Sequence, residues 1–218
     1  MTVVKICGLT NLDDALFAAQ QGAELLGFIF APVSKRYITP KEAQPIVQTI
    51  HQQTQARCIG VFVVTDEVDA VQINQACQIS GVDAAQVVGE NLDNIVPLLQ
   101  KPAYITIRPS STVEAQLEAT IYERLENPPY LPTLQLDAFH PDLYGGTGQT
   151  ATLEIAKAVA QQTQRLMLSG GLTAENVAEY VTAIRPFAVD VASGTEAKPR
   201  YKDPEKVKRF IQAAKSVQ

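Results

Sequence analysis

The chain is poor in the side chains that most often carry metal or nucleophile chemistry. It has two histidines, His51 and His140. Neither stands at the end of an apolar run, so metal-assisted or histidine-based catalysis has little support. Three cysteines, Cys7, Cys58 and Cys77, are too few and too scattered for a disulfide framework or a zinc site. A reducing cytoplasm is the expected setting. Acidic residues (23) outnumber basic ones (18), and the net charge of -5 argues against a general nucleic-acid surface. No apolar run reaches the roughly 20 residues needed to cross a bilayer, so no membrane partner is expected. The opening Met1 to Lys5 lacks a basic segment leading into an apolar one, so no signal peptide is expected. No GxGxxG follows the first apolar run, which disfavours an open dinucleotide-binding sheet.

What is present is a repeat of apolar runs and helical patterns. With 218 residues, 46% of them hydrophobic, the chain suits one domain over residues 1–218. That is slightly short of the about 250 residues typical of a (β/α)8 barrel. Strands are expected at Val3–Ile6, Leu25–Phe30, Cys58–Val64, Val82–Val87, Tyr104–Arg108, Thr133–Asp137, Leu166–Leu168 and Pro186–Val189. Helical patterns follow: one capped by Asn11 or Thr10, one opened by Thr39-Pro40 and running through Ile50, and one starting at Thr65-Asp66-Glu67 and ending near Ser80-Gly81. Further ones span Asn91–Leu99, Ser111 to about Leu125, Leu153–Gln161, a stretch capped by Thr173, and Asp203 to Lys215. Near-continuous apolar strands joined by helical crossovers describe a parallel sheet buried on both faces. Eight such units predict a closed (β/α)8 TIM barrel.

Side chains at the C-terminal ends of such strands converge on one mouth. The reactive candidates there are Cys7, Arg36, Gln86, Arg108, Asp137 and Asp190. Cys7 could act as nucleophile or general base if amide groups or Lys5 lowered its pKa; it could equally be a small buried hydrophobe. Asp137 ends an apolar strand, where partial burial would let it hold a proton as a general acid; an ion pair or a loop cap is the other reading. Asp190 reads as a hydrogen-bonding group for a polar ligand, with the same alternatives. Arg36 offers a bidentate fork for a carboxylate or phosphate, although most loop arginines are simply solvated. Two turns, Ser169-Gly170-Gly171-Leu172 and Ser193-Gly194, follow the seventh and eighth strands. Small residues there let backbone N–H groups approach an anion, the arrangement of a barrel's phosphate cradle. The segment Gly145-Gly146-Thr147-Gly148 could fold over the mouth as a lid.

Taken together and in order, Lys5-Ile6-Cys7-Gly8-Leu9-Thr10, Gly27-Phe28-Ile29-Phe30-Ala31-Pro32 with Ser34-Lys35-Arg36, Gly60-Val61-Phe62-Val63, Leu136-Asp137, Gly145-Gly146-Thr147-Gly148, Ser169-Gly170-Gly171-Leu172 and Val189-Asp190-Val191-Ala192-Ser193-Gly194 resemble the phosphoribosylanthranilate isomerases of tryptophan biosynthesis. The resemblance runs along nearly the whole chain. It implies an Amadori rearrangement of N-(5-phosphoribosyl)anthranilate, an aldose-to-ketose isomerisation. By that resemblance Cys7 is the general base at the sugar C2 and Asp137 the general acid at the ring oxygen. Arg36 would hold the anthranilate carboxylate, and Asp190 would sit near the anthranilate amine. Gly170, Gly171, Ser193 and Gly194 would bind the phosphate, with Gly146 helping from the lid. The implied partner is a small phosphorylated substrate, with no metal or redox cofactor, in a cytoplasmic monomer or homodimer. The chain departs from the family pattern at Val88, where a histidine is usual, at Val64, where asparagine is usual, and in having no tryptophan after the lid. A divergent paralogue that acts on or binds another phosphosugar-type ligand is the alternative.

Overall fold

Eight parallel strands close on themselves in a computed structural model of the chain, which describes residues 1–65, 70–123, 126–137 and 153–217. They are β1 (Val3–Cys7), β2 (Leu25–Ile29), β3 (Arg57–Val64), β4 (Ala84–Gly89), β5 (Ala103–Ile107), β6 (Leu134–Leu136), β7 (Leu166–Leu168) and β8 (Ala188–Val191). Each strand pairs with the next, and β1 completes the ring against β8 with Lys5 opposite Asp190. The crossovers carry α1 (Leu12–Gln20), α2 (Pro40–Gln53), α3 (Ala70–Ser80), α4 (Leu92–Ile95), α5 (Thr112–Tyr122), α6 (Leu153–Ala160) and α7 (Val177–Ile184), and α8 (Pro204–Lys215) ends the chain's helices. This is the (β/α)8 barrel that the alternation predicts. Among the described residues no helix is long and apolar enough to cross a membrane.

The helix starts follow from local chemistry. The Asn11 side chain accepts from the backbone of Asp14, and Ser111 accepts from that of Glu114. Thr39 and Glu42 form a reciprocal capping box with Pro40 in the first turn, and Asp203 accepts from the N–H groups of Glu205 and Lys206.

Several boundaries differ from the sequence reading. Strand four begins at Ala84 rather than Val82, because Asp83 turns back to bond the start of β3. Helix two continues to Gln53. Helix four is one α-helical turn continued by a 3-10 turn over Val96–Leu98, where Pro97 has no N–H to offer. Thr173 caps a separate turn, bonding the N–H of Glu175, and the helix proper starts at Val177. The expected start of helix three at Asp66-Glu67 and the end of helix five at Leu125 lie outside the described residues. A short hairpin, β9 (Glu196–Lys198) and β10 (Tyr201–Lys202), follows β8 and was not anticipated.

Alternation along the strands sorts the side chains. Val4, Ile6, Leu26, Phe28, Val87 and Leu136 pack outward in the layer between sheet and helices. Leu25, Ile59, Ala84, Tyr104, Met167 and Ala188 form a second apolar cluster inside the barrel. At the strands' N-terminal end the Asp83 carboxylate faces His51 Nε2 at 2.9 Å, Arg57 at 3.3 Å and the Cys58 backbone N–H at 2.8 Å. This ties α2, β3 and β4 together far from the mouth. Asp83→Ala leaves the buried Cys58 amide without its acceptor, so urea unfolding should show a loss of about 1–3 kcal/mol. Unchanged stability would contradict that role.

Candidate active site

Above the inner apolar cluster the barrel interior turns polar. Lys5, two residues before Cys7 on β1, faces inward and is fully buried. Its ammonium donates to Gln86 Oε1 at 2.7 Å and to Asp190 Oδ2 at 3.0 Å. Gln86 also accepts from the Tyr104 hydroxyl at 3.2 Å and donates to Thr106 Oγ1 at 3.0 Å. On the other side, Gln135 Nε2 donates to Asp190 Oδ2 at 3.1 Å and to Ser169 Oγ at 2.7 Å. Ser169 Oγ lies 3.3 Å from Asp137 Oδ1, and Arg108 Nη2 lies 3.3 Å from Asp137 Oδ2. A continuous hydrogen-bonded belt therefore runs from beneath Cys7, through β8, to Asp137 at the end of β6. Gln135 was not singled out from the sequence, and Ser169 was named only as the first residue of the turn after strand seven. The signal was there: in Leu134-Gln135-Leu136-Asp137 the two polar residues alternate with leucines and must share the inward face.

Cys7 ends β1 and is 5% exposed. Gly27, its neighbour on β2, leaves room for it: a Cβ there would stand 2.7 Å from Cys7 Sγ and 3.1 Å from its Cα. Burial pushes the thiol above its usual range, while Lys5 pulls the other way. The expectation that Lys5 could lower the thiol's pKa thus holds for its own contribution but not for the net result. Burial also works against the charge on Lys5, but the nearby Asp190, Cys7 and Tyr104 more than offset it and raise its pKa. A thiol raised in this way is mostly protonated at neutral pH. Alkylation of Cys7 by iodoacetamide in the free protein should therefore climb about tenfold per pH unit between about pH 6.5 and about pH 8.5. A plateau reached by neutral pH would contradict this.

Arg36 reaches the same mouth from the segment after β2, with Glu196 clamping one edge of its guanidinium. The Nε–Oε1 and Nη2–Oε2 distances are both 2.7 Å, a bidentate pair. Those bonds use two of five N–H donors. The Arg36 pKa rises, chiefly because of the hydrogen bonds to Glu196. Behind this pair Lys202 is buried and donates to the Ala192 carbonyl at 2.8 Å. Burial pushes its ammonium down to about 8, against the pull of Glu196 and Cys7. Glu196 and Lys202 both come from the unforeseen hairpin. Asp190 keeps one oxygen, Oδ1, buried and without a partner among the described residues. Val64 and Val88, the departures from the family pattern on neighbouring strands, are buried.

The turn after β7 passes through Gly170 (φ 84) and Gly171 (φ 62), a left-handed pair that only glycine adopts without strain. The turn after β8 packs directly on it: a Cβ on Gly194 would stand 2.1 Å from the Leu172 carbonyl oxygen. Among the described residues, the backbone N–H groups of Gly170, Gly171, Ser193 and Gly194 donate to no protein acceptor. Gly146 and the rest of the expected lid, His140 included, lie outside the described residues.

The barrel, its acid and thiol at two strand ends, and its paired turns can be set beside known proteins. The family model described as N-(5'phosphoribosyl)anthranilate (PRA) isomerase matches residues 4–213. An N-(5'-phosphoribosyl)anthranilate isomerase of Pelobacter propionicus is 39% identical, covering 99% of this chain and 96% of the relative. The crystal structure of phosphoribosyl anthranilate isomerase from Thermotoga maritima superposes with a TM-score of 0.86 at 34% identity, each chain fully covered. A phosphoribosyl anthranilate isomerase solved with reduced 1-(o-carboxyphenylamino)-1-deoxyribulose 5-phosphate superposes with a TM-score of 0.82 at 32% identity, again over the full length of both chains. The match spans both halves of the polar belt and both glycine turns, and on that basis the chain belongs to the N-(5'-phosphoribosyl)anthranilate isomerase family.

Proposed function

We propose that this chain isomerises N-(5-phosphoribosyl)anthranilate to 1-(2-carboxyphenylamino)-1-deoxyribulose 5-phosphate by general acid–base catalysis, in the cytoplasm, as a step of tryptophan biosynthesis. The observation that carries the residue roles is the belt of hydrogen bonds with Cys7 above one end and Asp137 at the other. An aldose-to-ketose shift of this kind needs one group that gives a proton and one that takes a proton, on either side of a pentose.

Asp137 gives a proton to the furanose ring oxygen, and the bond from that oxygen to C1 breaks. The anthranilate nitrogen supplies the electron pair and becomes a Schiff base. Cys7, as the thiolate, takes the proton from C2, and the electrons move to the C1–C2 bond to form an enolamine. Its enol then tautomerises, leaving a ketone at C2 and a new C–H bond at C1. Ser169 and Arg108 hold the Asp137 carboxyl between β5 and β7. The open edge of Arg36 takes the anthranilate carboxylate, with Glu196 fixing the plane of the fork. Asp190 Oδ1 accepts from the anthranilate amine. The free N–H groups of Gly170, Gly171, Ser193 and Gly194 bind the phosphate, and Gly146 joins them from the lid.

The test is turnover of freshly prepared phosphoribosylanthranilate by the purified protein, followed by loss of anthranilate fluorescence. Rescue of a tryptophan auxotroph lacking this step should accompany it. No turnover and no rescue by folded protein would overturn the reading and favour a paralogue with another phosphosugar ligand.

A further inference from the structure

We propose that Lys5 is a positioning residue whose buried ammonium, held beneath Cys7 by Asp190 and Gln86, compensates the charge of the Cys7 thiolate. The proposal rests on Cys7 being the base.

The geometry comes from β1 itself. Residues two apart on a strand share a face, so Lys5 lies directly beneath Cys7 in the barrel interior. An ammonium has three N–H donors. Two go to Gln86 Oε1 and Asp190 Oδ2, which fixes the charge on the inward face that Cys7 shares, where it favours the thiolate. Both anchors are themselves fixed: Gln86 by Thr106 and Tyr104, Asp190 by Gln135. The ammonium cannot swing away without giving up both hydrogen bonds and leaving the buried Asp190 carboxylate without its cation.

A structural purpose alone does not call for a charge here. A buried ion pair replaced by packed apolar groups is often no less stable, because desolvation cancels much of the attraction. A function that needs a cation does explain it. Proton transfer to and from Cys7 changes the charge of an almost fully enclosed site, and a fixed cation there compensates the charged form without reorganising.

The other charged and titratable groups packed around Cys7 do not duplicate this. Asp190 opposes thiolate formation. Tyr104 sits one layer lower. Lys202 favours the thiolate less strongly than Lys5 and spends a donor on the Ala192 carbonyl. Arg36 is bound by Glu196. Asp137 is across the belt against Arg108.

The experiment compares wild type, Lys5→Met, the charge-balanced Lys5→Met/Asp190→Asn and Cys7→Ala. One readout is the pH dependence of Cys7 alkylation, with the labelled peptide identified by mass spectrometry. The other is kcat and KM with phosphoribosylanthranilate. In Lys5→Met the alkylation midpoint should move to higher pH, and kcat should fall about 10²-fold at fixed neutral pH with a smaller change in KM. If the single variant does not fold, the double variant carries the test: its alkylation midpoint should also rise, by less, because the opposing Asp190 charge is removed together with the larger effect of Lys5. A midpoint unmoved in the folded variant overturns the proposal, even if kcat falls, because a merely structural lysine would leave thiol ionisation alone. Full activity in Cys7→Ala would instead overturn the assignment of the base. The alkylation readout stands apart from that outcome, so the two failures are distinguishable.

Discussion

Cys7→Ala is expected to lower kcat by about 10²–10⁴-fold, the contribution of one general base, while leaving the protein folded. The side chain is 5% exposed and contacts the β2 backbone at Gly27. Removing one sulfur from a tight site costs on the order of 1 kcal/mol, a small part of a domain's stability. KM should change little, because the groups assigned to the phosphate and the carboxylate are untouched. Cys58 and Cys77 supply the internal control. Both are buried outside the mouth, in the layer between sheet and helices, where burial pushes Cys77 up to about 11 and raises Cys58 further. Alanine at either should keep near wild-type turnover. Steady-state kinetics on the three variants decide the matter, and wild-type kcat in Cys7→Ala would remove the proposed base.

Gly27→Ala should be nearly as damaging without touching any reactive atom. The new methyl would stand 2.7 Å from Cys7 Sγ, 3.1 Å from its Cα and 3.2 Å from its Cβ. Rotating the thiol could relieve only the contact with Sγ, because Cα and Cβ are fixed by the β1 backbone. That strand is held between β2 and β8 by parallel ladders on both sides. The strand must shift or the sulfur must leave its place. Overpacking of this kind typically costs about 1–3 kcal/mol. A misplacement of about 1 Å at a reacting group is worth about 10²-fold in rate. Thermal unfolding and kcat measured together should show both losses, with kcat falling far more than the lost fraction of folded protein explains. Normal turnover would mean that Cys7 need not sit where β1 puts it.

Much of this architecture can be read before any coordinates. The apolar strands, their capped helices and the glycine turns after strands seven and eight depend on local pattern, and local pattern is what a sequence displays. The polar belt was half legible. Cys7, Asp137 and Asp190 stand out as polar residues ending apolar runs, and Lys5 and Gln135 lie two positions from such residues. Their partners were not legible, because nothing near Arg36 indicates that an acid 160 positions away will occupy one edge of its guanidinium. The hairpin that delivers Glu196 and Lys202 was missed for a related reason. Its strands are three and two residues long, too short for alternation to register. Its turn also puts Arg200 at φ 78, where a glycine would have flagged it. Asp83 was read as part of a strand because it sits in an apolar run. Its true role, bonding the Cys58 amide across 25 positions, is tertiary.

A crystal structure of this chain with reduced 1-(o-carboxyphenylamino)-1-deoxyribulose 5-phosphate tests the assigned geometry most directly. The phosphate should lie on the N–H groups of Gly170, Gly171, Ser193 and Gly194. The sugar should lie across the belt with Cys7 Sγ at C2 and the Asp137 carboxyl on the opposite side, and the aryl carboxylate should meet the open edge of Arg36. A ligand bound with its phosphate elsewhere, or with C2 out of reach of Cys7, would contradict it.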